Sequence, residues 1–207
     1  MRKILEIGGL VAAVVLIAFG AVAVVMGVHG KSTVQNSLKL EQITGTPDMT
    51  PSAIAAEATK AGLTGVTFPT CSVAGLPVNS GDRARCFAQY MRIHALEATG
   101  GVPYSQLPRY ASADGKGTND AAAAVTGANG QPLDNAVRNV WVTETALTTA
   151  LNTSYMASQL ALFGVVVGIA LLLSGIGFAV LALGGALRNP ETALKFVHRA
   201  TPVVPAH

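Results

Sequence analysis

The residues best placed by type and spacing to do chemistry are His94 and Glu97, three positions apart in the run from Ser80 to Thr99. On a helix that spacing makes their side chains neighbours on one face. An imidazole and a carboxylate there can act as two metal ligands or as an acid and base pair. The same spacing also makes an ordinary structural ion pair, with His94 completing an apolar stripe of Phe87, Tyr90 and Met91. The sequence favours this second reading, because structural pairs perturb titration as catalytic ones do. Cys71 and Cys86 are the two cysteines. As thiolates they are two metal ligands, but a structural zinc site needs about four, and His94 is the one nearby histidine. A disulfide is the better assignment, and closing a loop of that length stabilises a domain by about 3 kcal/mol in the chain-entropy model. No dinucleotide fingerprint, Walker A sequence, nucleophile elbow, zincin HExxH pair or EF-hand loop occurs. The sequence therefore assigns no catalytic residue and no cofactor; the absence of these motifs does not exclude an enzyme but removes the usual evidence for one, and a non-enzymatic role is the favoured expectation.

Helices must position these groups. Thr50 and Pro51 suit the N-cap and first position of a helix that ends at Ala61, with Gly62 beyond it. Ser80 or Asp82 caps a second helix running to about Thr99, terminated by Gly100 and Gly101. Between them, residues 63–78 are punctuated by Pro69, Gly75 and Pro77, which predicts loop with at most one short strand. Residues 102–132 are rich in Gly, Ala, Asp and Asn and predict an irregular surface stretch, the best place for a binding loop. From Asp134, a good N-cap, no Gly or Pro appears until Gly164, so one long helix containing Trp141, Leu147, Leu151 and Tyr155 is expected. Core packing is the expected role of Trp141, and a place in an interfacial aromatic belt that of Tyr155.

The frame around this segment is apolar. Hydrophobic residues make up 50% of the 207 positions and charged residues 12%, about half the charge of an ordinary soluble domain. Ile7–Val28 holds 22 residues without Asp, Glu, Lys or Arg, enough for a helix to cross a hydrocarbon core of about 30 Å. A second uncharged run, Thr145–Leu187, is most apolar from Leu160 onward. The expected organisation is a cytoplasmic N-terminus (1–6), a first transmembrane helix (7–28), an extracytoplasmic domain (29–159), a second transmembrane helix (160–187) and a cytoplasmic tail (188–207). The alternative for the first run is a cleavable signal peptide, with Arg2 and Lys3 as its basic region and Ala21-Val22-Ala23 as a cleavage site. The apolar run continues past that site, which favours an uncleaved anchor. The intervening segment carries nine basic and nine acidic residues, so the net charge of +3 lies in the tails. By the positive-inside rule both termini are then cytoplasmic, in a two-pass protein of the plasma membrane. Asn189-Pro190-Glu191 opens a short tail helix that suits either the membrane surface or an unattached tail.

Small residues line both runs: Gly164 and Gly168 form a GxxxG pair, and Gly20 and Gly27 stand seven apart in the first. Such stripes let helices approach closely in lipid. They serve either a homo-oligomer or the packing of the two runs on each other within one chain, and the second is favoured because the connecting chain guarantees that partner.

The stretches Cys86–Gly101, Gly117–Ala121 and Trp141–Asn152 resemble an uncharacterised family of actinobacterial two-span membrane proteins, over nearly the whole chain. Members of that family often carry the name aromatic ring-opening dioxygenase. The common mononuclear iron site needs two histidines and a carboxylate. Here the histidines are His29, His94, His198 and His207, which do not converge along the expected topology, so the name is a mistransfer. The resemblance and composition together imply a mainly α protein: two transmembrane helices flanking a small helical, disulfide-containing extracytoplasmic domain. Its expected role is that of an accessory or binding protein of the bacterial cell envelope. The expected partners are the lipid bilayer and another membrane protein or a second copy; the neutral outer segment excludes nucleic acid. The alternative is a membrane-tethered metal-dependent enzyme using His94 and Glu97.

Overall fold

The computed structural model describes residues 2–184, so the tail 188–207, the helix expected from Asn189, His198 and His207 lie outside the described residues. Four α-helices follow in order: α1 (Arg2–Leu40), α2 (Pro51–Lys60), α3 (Gly81–Ala98) and α4 (Val137–Leu183). Two short 3-10 turns, Tyr104–Gln106 and Ala121–Ala123, interrupt the segment before α4. Among the described residues there is no strand, only isolated bridges such as Thr44 with Pro77 and Tyr110 with Thr118. The described residues divide into two compact units: Ser32–Gln159, and the described residues before and after it.

The outer ends of α1 and α4 form the first unit. Their apolar windows have mean hydropathies of 2.8 and 2.6, and both helices are long and apolar enough to cross a membrane. Only 17% of each window is buried, and Phe19, Met26, Phe163 and Leu173 stand exposed. What is buried is a line of small residues at seven-residue spacing: Ala13, Gly20 and Gly27 on α1, and Gly168, Gly175 and Ala182 on α4. A strict heptad repeat keeps one seam facing a partner helix. Here the partner is within the chain, and the two helices run antiparallel. A Cβ built on Gly20 would stand 2.7 Å from the Gly168 carbonyl oxygen, and one on Gly27 2.6 Å from that of Ala161. One on Gly175 would stand 3.0 Å from that of Ala13. The two members of the GxxxG pair are unequal: Gly168 has neighbours at 2.8 Å, whereas the nearest atom to Gly164 is 3.8 Å away. Gly20, Gly27, Gly168 and Gly175 thus make their close approaches within the chain.

The second unit is built on α3. Ser80 caps it, its hydroxyl accepting from the Arg83 N–H, as Thr50 caps α2 by accepting from Ala53. Both helices end in the same way. Gly62 and Gly100, at φ +71° and +63°, turn the chain into the left-handed region that glycine tolerates. The next residue then bonds back, Leu63 N–H to Ala58 C=O and Gly101 N–H to Leu96 C=O, which satisfies otherwise orphaned carbonyls. Buried Phe87, Tyr90 and Ile93 of α3 pack with Ile54 and Ala58 of α2, and with Leu38, Met49, Val73, Val78 and Leu151. The start of α4 departs from expectation. Asn135, not Asp134, accepts from the Val137 N–H, while Asp134 is held in a backbone bridge with Tyr110. Asn135 is nearly buried and must also donate its Nδ2 to the Pro108 carbonyl, which a carboxylate cannot do. Trp141 is in the core, its indole N–H donating to the Val102 carbonyl at 3.0 Å. Tyr155 is half-buried beneath the Arg85 guanidinium.

The loops are more ordered than their composition suggests. Residues 43–49 lie along 73–78, with Gly45 N–H bonded to Leu76 C=O, Val78 N–H to Ile43 C=O and Val73 N–H to Met49 C=O. A Cβ on Gly45 would stand 2.0 Å from the Val73 oxygen, so only glycine allows this approach. The Cys71–Cys86 disulfide and the Tyr90 hydroxyl, which donates to the Cys71 carbonyl at 2.6 Å, pin that loop to α3. Through these links the connector 41–50 is held against α3. In the stretch before α4, Ala111 N–H bonds to Leu133 C=O and Leu133 N–H to Val125 C=O, folding an irregular segment back on itself.

Candidate functional site

The connector delivers Asp48 to His94. Nε2 of His94 and Oδ2 of Asp48 are 2.7 Å apart, an ion pair between half-buried side chains. Glu57, on the last turn of α2, completes a group in which the ligand atoms of Asp48, Glu57 and His94 all lie within 4.8 Å of one another. Glu97, one helical turn beyond His94, has its Oε1 buried and without a hydrogen-bond partner. The pairing expected between His94 and Glu97 is therefore replaced by His94 with Asp48. Two carboxylates, Asp48 and Glu57, stand with the imidazole, and Glu97 lies outside that group but feels the charges of all three.

Each carboxylate responds to its place. Burial pushes the Asp48 carboxyl up, but hydrogen bonds from Thr46, from its own backbone N–H and from His94, with the charge of His94, outweigh that and hold it below its ordinary value. Burial raises the Glu97 carboxyl; the His94 charge opposes this, and the charges of Glu57 and Asp48 add to it. Helix dipoles matter too. Glu57 and Glu97 sit in the last turns of α2 and α3, where partial negative charge collects and basic residues are preferred, and α3 has no basic residue there.

No protein-family model, curated protein or solved structure matches this chain. The site is therefore read from its own geometry. Among the described residues, the ligand-competent group holds a single histidine, so the two-histidine, one-carboxylate set of mononuclear iron sites is not assembled here. Sequence reasoning singled out His94 and Glu97 and missed Asp48 and Glu57. The available signal was Glu97 itself, a carboxylate at a helix end that favours cations.

A separate cleft of about 550 Å³ opens between the ends of α2 and α3, lined by Gly62, Thr64, Val66, Gln89, Arg92 and Leu96 among others. The Arg92 guanidinium lies 5.3 Å from the centre of the Trp141 ring, a cation–π contact that holds one wall.

The opposite shifts of Glu97 and Asp48 make a pH prediction. A raised folded value means the Glu97 contribution is fully present below its unfolded value, near 4.5, and is lost as pH rises through the folded one. Asp48 contributes above its unfolded value, near 3.8, and loses that contribution as pH falls through its depressed folded value. Glu97→Gln is therefore expected to flatten the decline in stability just above pH 4.5, measured by denaturant unfolding of the full-length protein in detergent and chelator. An unchanged slope would assign the decline to another group.

Proposed function

We propose that the protein is a membrane-anchored accessory or binding protein of a bacterial cell envelope. Its two apolar helices cross the plasma membrane, both termini are cytoplasmic, and residues 29–159 form the extracytoplasmic domain. The observation that carries this reading is the exposure of the helices. A core helix of a soluble protein is mostly covered, whereas 17% of each apolar window is buried here, leaving the rest to lipid. The disulfide suits an oxidising compartment outside the membrane. The close fit of Gly20 and Gly27 against α4 supports an uncleaved first helix, since cleavage after Ala23 would remove Ala13 and Gly20, two of the three seam residues of α1.

The test is a protein tagged at both ends in sealed, right-side-out membranes. Resistance to alkaline extraction, protection of both tags from external protease and cutting within 29–159 are expected. The N-terminal sequence should begin before Ile7. Release by carbonate, or a mature chain beginning at Val24, would overturn the two-span anchor. A stoichiometric partner that co-purifies in mild detergent would support the accessory role.

A further inference from the structure

We propose that Asp48, Glu57, His94 and Glu97 form a binding site for one divalent cation of the zinc class, which ties the connector 41–50 to the last turns of α2 and α3. Zinc accepts imidazole nitrogen and carboxylate oxygen together at about 2.0–2.2 Å, and four such ligands complete its tetrahedral shell. His94 Nε2 and Asp48 Oδ2 already stand together at 2.7 Å, Glu57 lies within the 4.8 Å group, and Glu97 stands outside that group and must turn its side chain to supply the fourth ligand. Glu57 is exposed, so its side chain has the rotamer freedom to swing inward by the remaining ångström or so.

Glu97 is an independent pointer to a cation. Its Oε1 is shut off from solvent and meets no donor, a costly state for a carboxylate oxygen unless something cationic or protonated takes it up. Electrostatics agree. Asp48 and Glu57 stand with one imidazole, Glu97 feels the charges of both, and a doubly charged ion offsets the carboxylate repulsion together with the dipoles of the two helix ends that carry Glu57 and Glu97. The mixed nitrogen and oxygen set favours zinc over calcium or magnesium, which take oxygen ligands alone. The ion's role is structural, since it cross-links three segments that the core already brings together.

The test uses the full-length protein in detergent, without a polyhistidine tag, stripped with chelator and titrated with zinc chloride, then with calcium chloride, by calorimetry and thermal melting. One equivalent of zinc and a rise in Tm are expected, with calcium producing neither. Glu57→Gln alters an exposed side chain and leaves the fold intact. It should weaken zinc binding at least tenfold and abolish most of the Tm shift, as should Glu97→Gln. Binding of equal strength in both variants would overturn the site, as would no saturable binding, a higher stoichiometry without a Tm shift, or a response to calcium alone.

Discussion

Gly168→Leu is expected to force α1 and α4 apart and to lower the stability of the helix pair by about 3 kcal/mol, the upper end of what overpacking costs in a well-filled core. A Cβ alone at this position would stand 2.8 Å from the Gly20 carbonyl oxygen and 2.8 Å from the Val24 nitrogen. Those are backbone atoms on a helix and cannot rotate aside, so the whole helix must move. Because the seam repeats every seven residues, displacement at Gly168 is felt at Gly175 and Ala182 as well. In a bilayer the loss is not softened by hydrophobic re-association, since packing itself is the attraction between helices. Gly164→Ala is the control: its nearest neighbour would be 3.8 Å away, ordinary contact, so the change should be neutral or slightly stabilising. Unfolding in detergent micelles separates the two. Equal effects of the two substitutions would mean that the seam does not carry the helix pair.

Replacing Cys71 and Cys86 together with serine is expected to cost about 3 kcal/mol, the chain-entropy value for a loop of about 15 residues. The consequence extends beyond stability. The bridge holds the loop 63–80 to α3, and that loop holds residues 43–49 by backbone hydrogen bonds. Asp48 reaches His94 through this relay. Loss of the bridge should therefore raise amide exchange at Gly45, Val73 and Val78 and broaden the His94 imidazole resonances. Tyr90, whose hydroxyl still donates to the Cys71 carbonyl, should limit the loosening without replacing the covalent tie. A serine variant with native melting and unchanged exchange at these amides would show that the backbone bonds alone set the geometry.

The elements legible in the sequence were those determined by bonds within a few residues. Thr50 with Pro51 marks the start of α2, Ser80 marks the start of α3, and Gly62 and Gly100-Gly101 mark their ends, because caps and left-handed terminators are closed by neighbours along the chain. The same holds for the two apolar helices, whose length and composition are local quantities. The start of α4 was misplaced by one residue. Asn135 rather than Asp134 caps it because the choice depends on the Pro108 carbonyl, which stands 27 residues away.

By itself the sequence determined the helical class, the two helices able to cross a bilayer, the cysteine pair and the presence of His94 and Glu97 on one helix face. Only the tertiary structure decided that His94 pairs with Asp48, that Glu57 joins them and that the Glu97 Oε1 is left buried without a hydrogen-bond partner. It also decided which glycines are indispensable, distinguishing Gly168 from Gly164 and revealing Gly45. The physical reason is range. Helix propensity, capping and hydrophobic periodicity act over one or two turns, whereas Asp48 and His94 are 46 residues apart and meet only after the disulfide, the Gly45 contact and the packed face of α3 have brought three segments together.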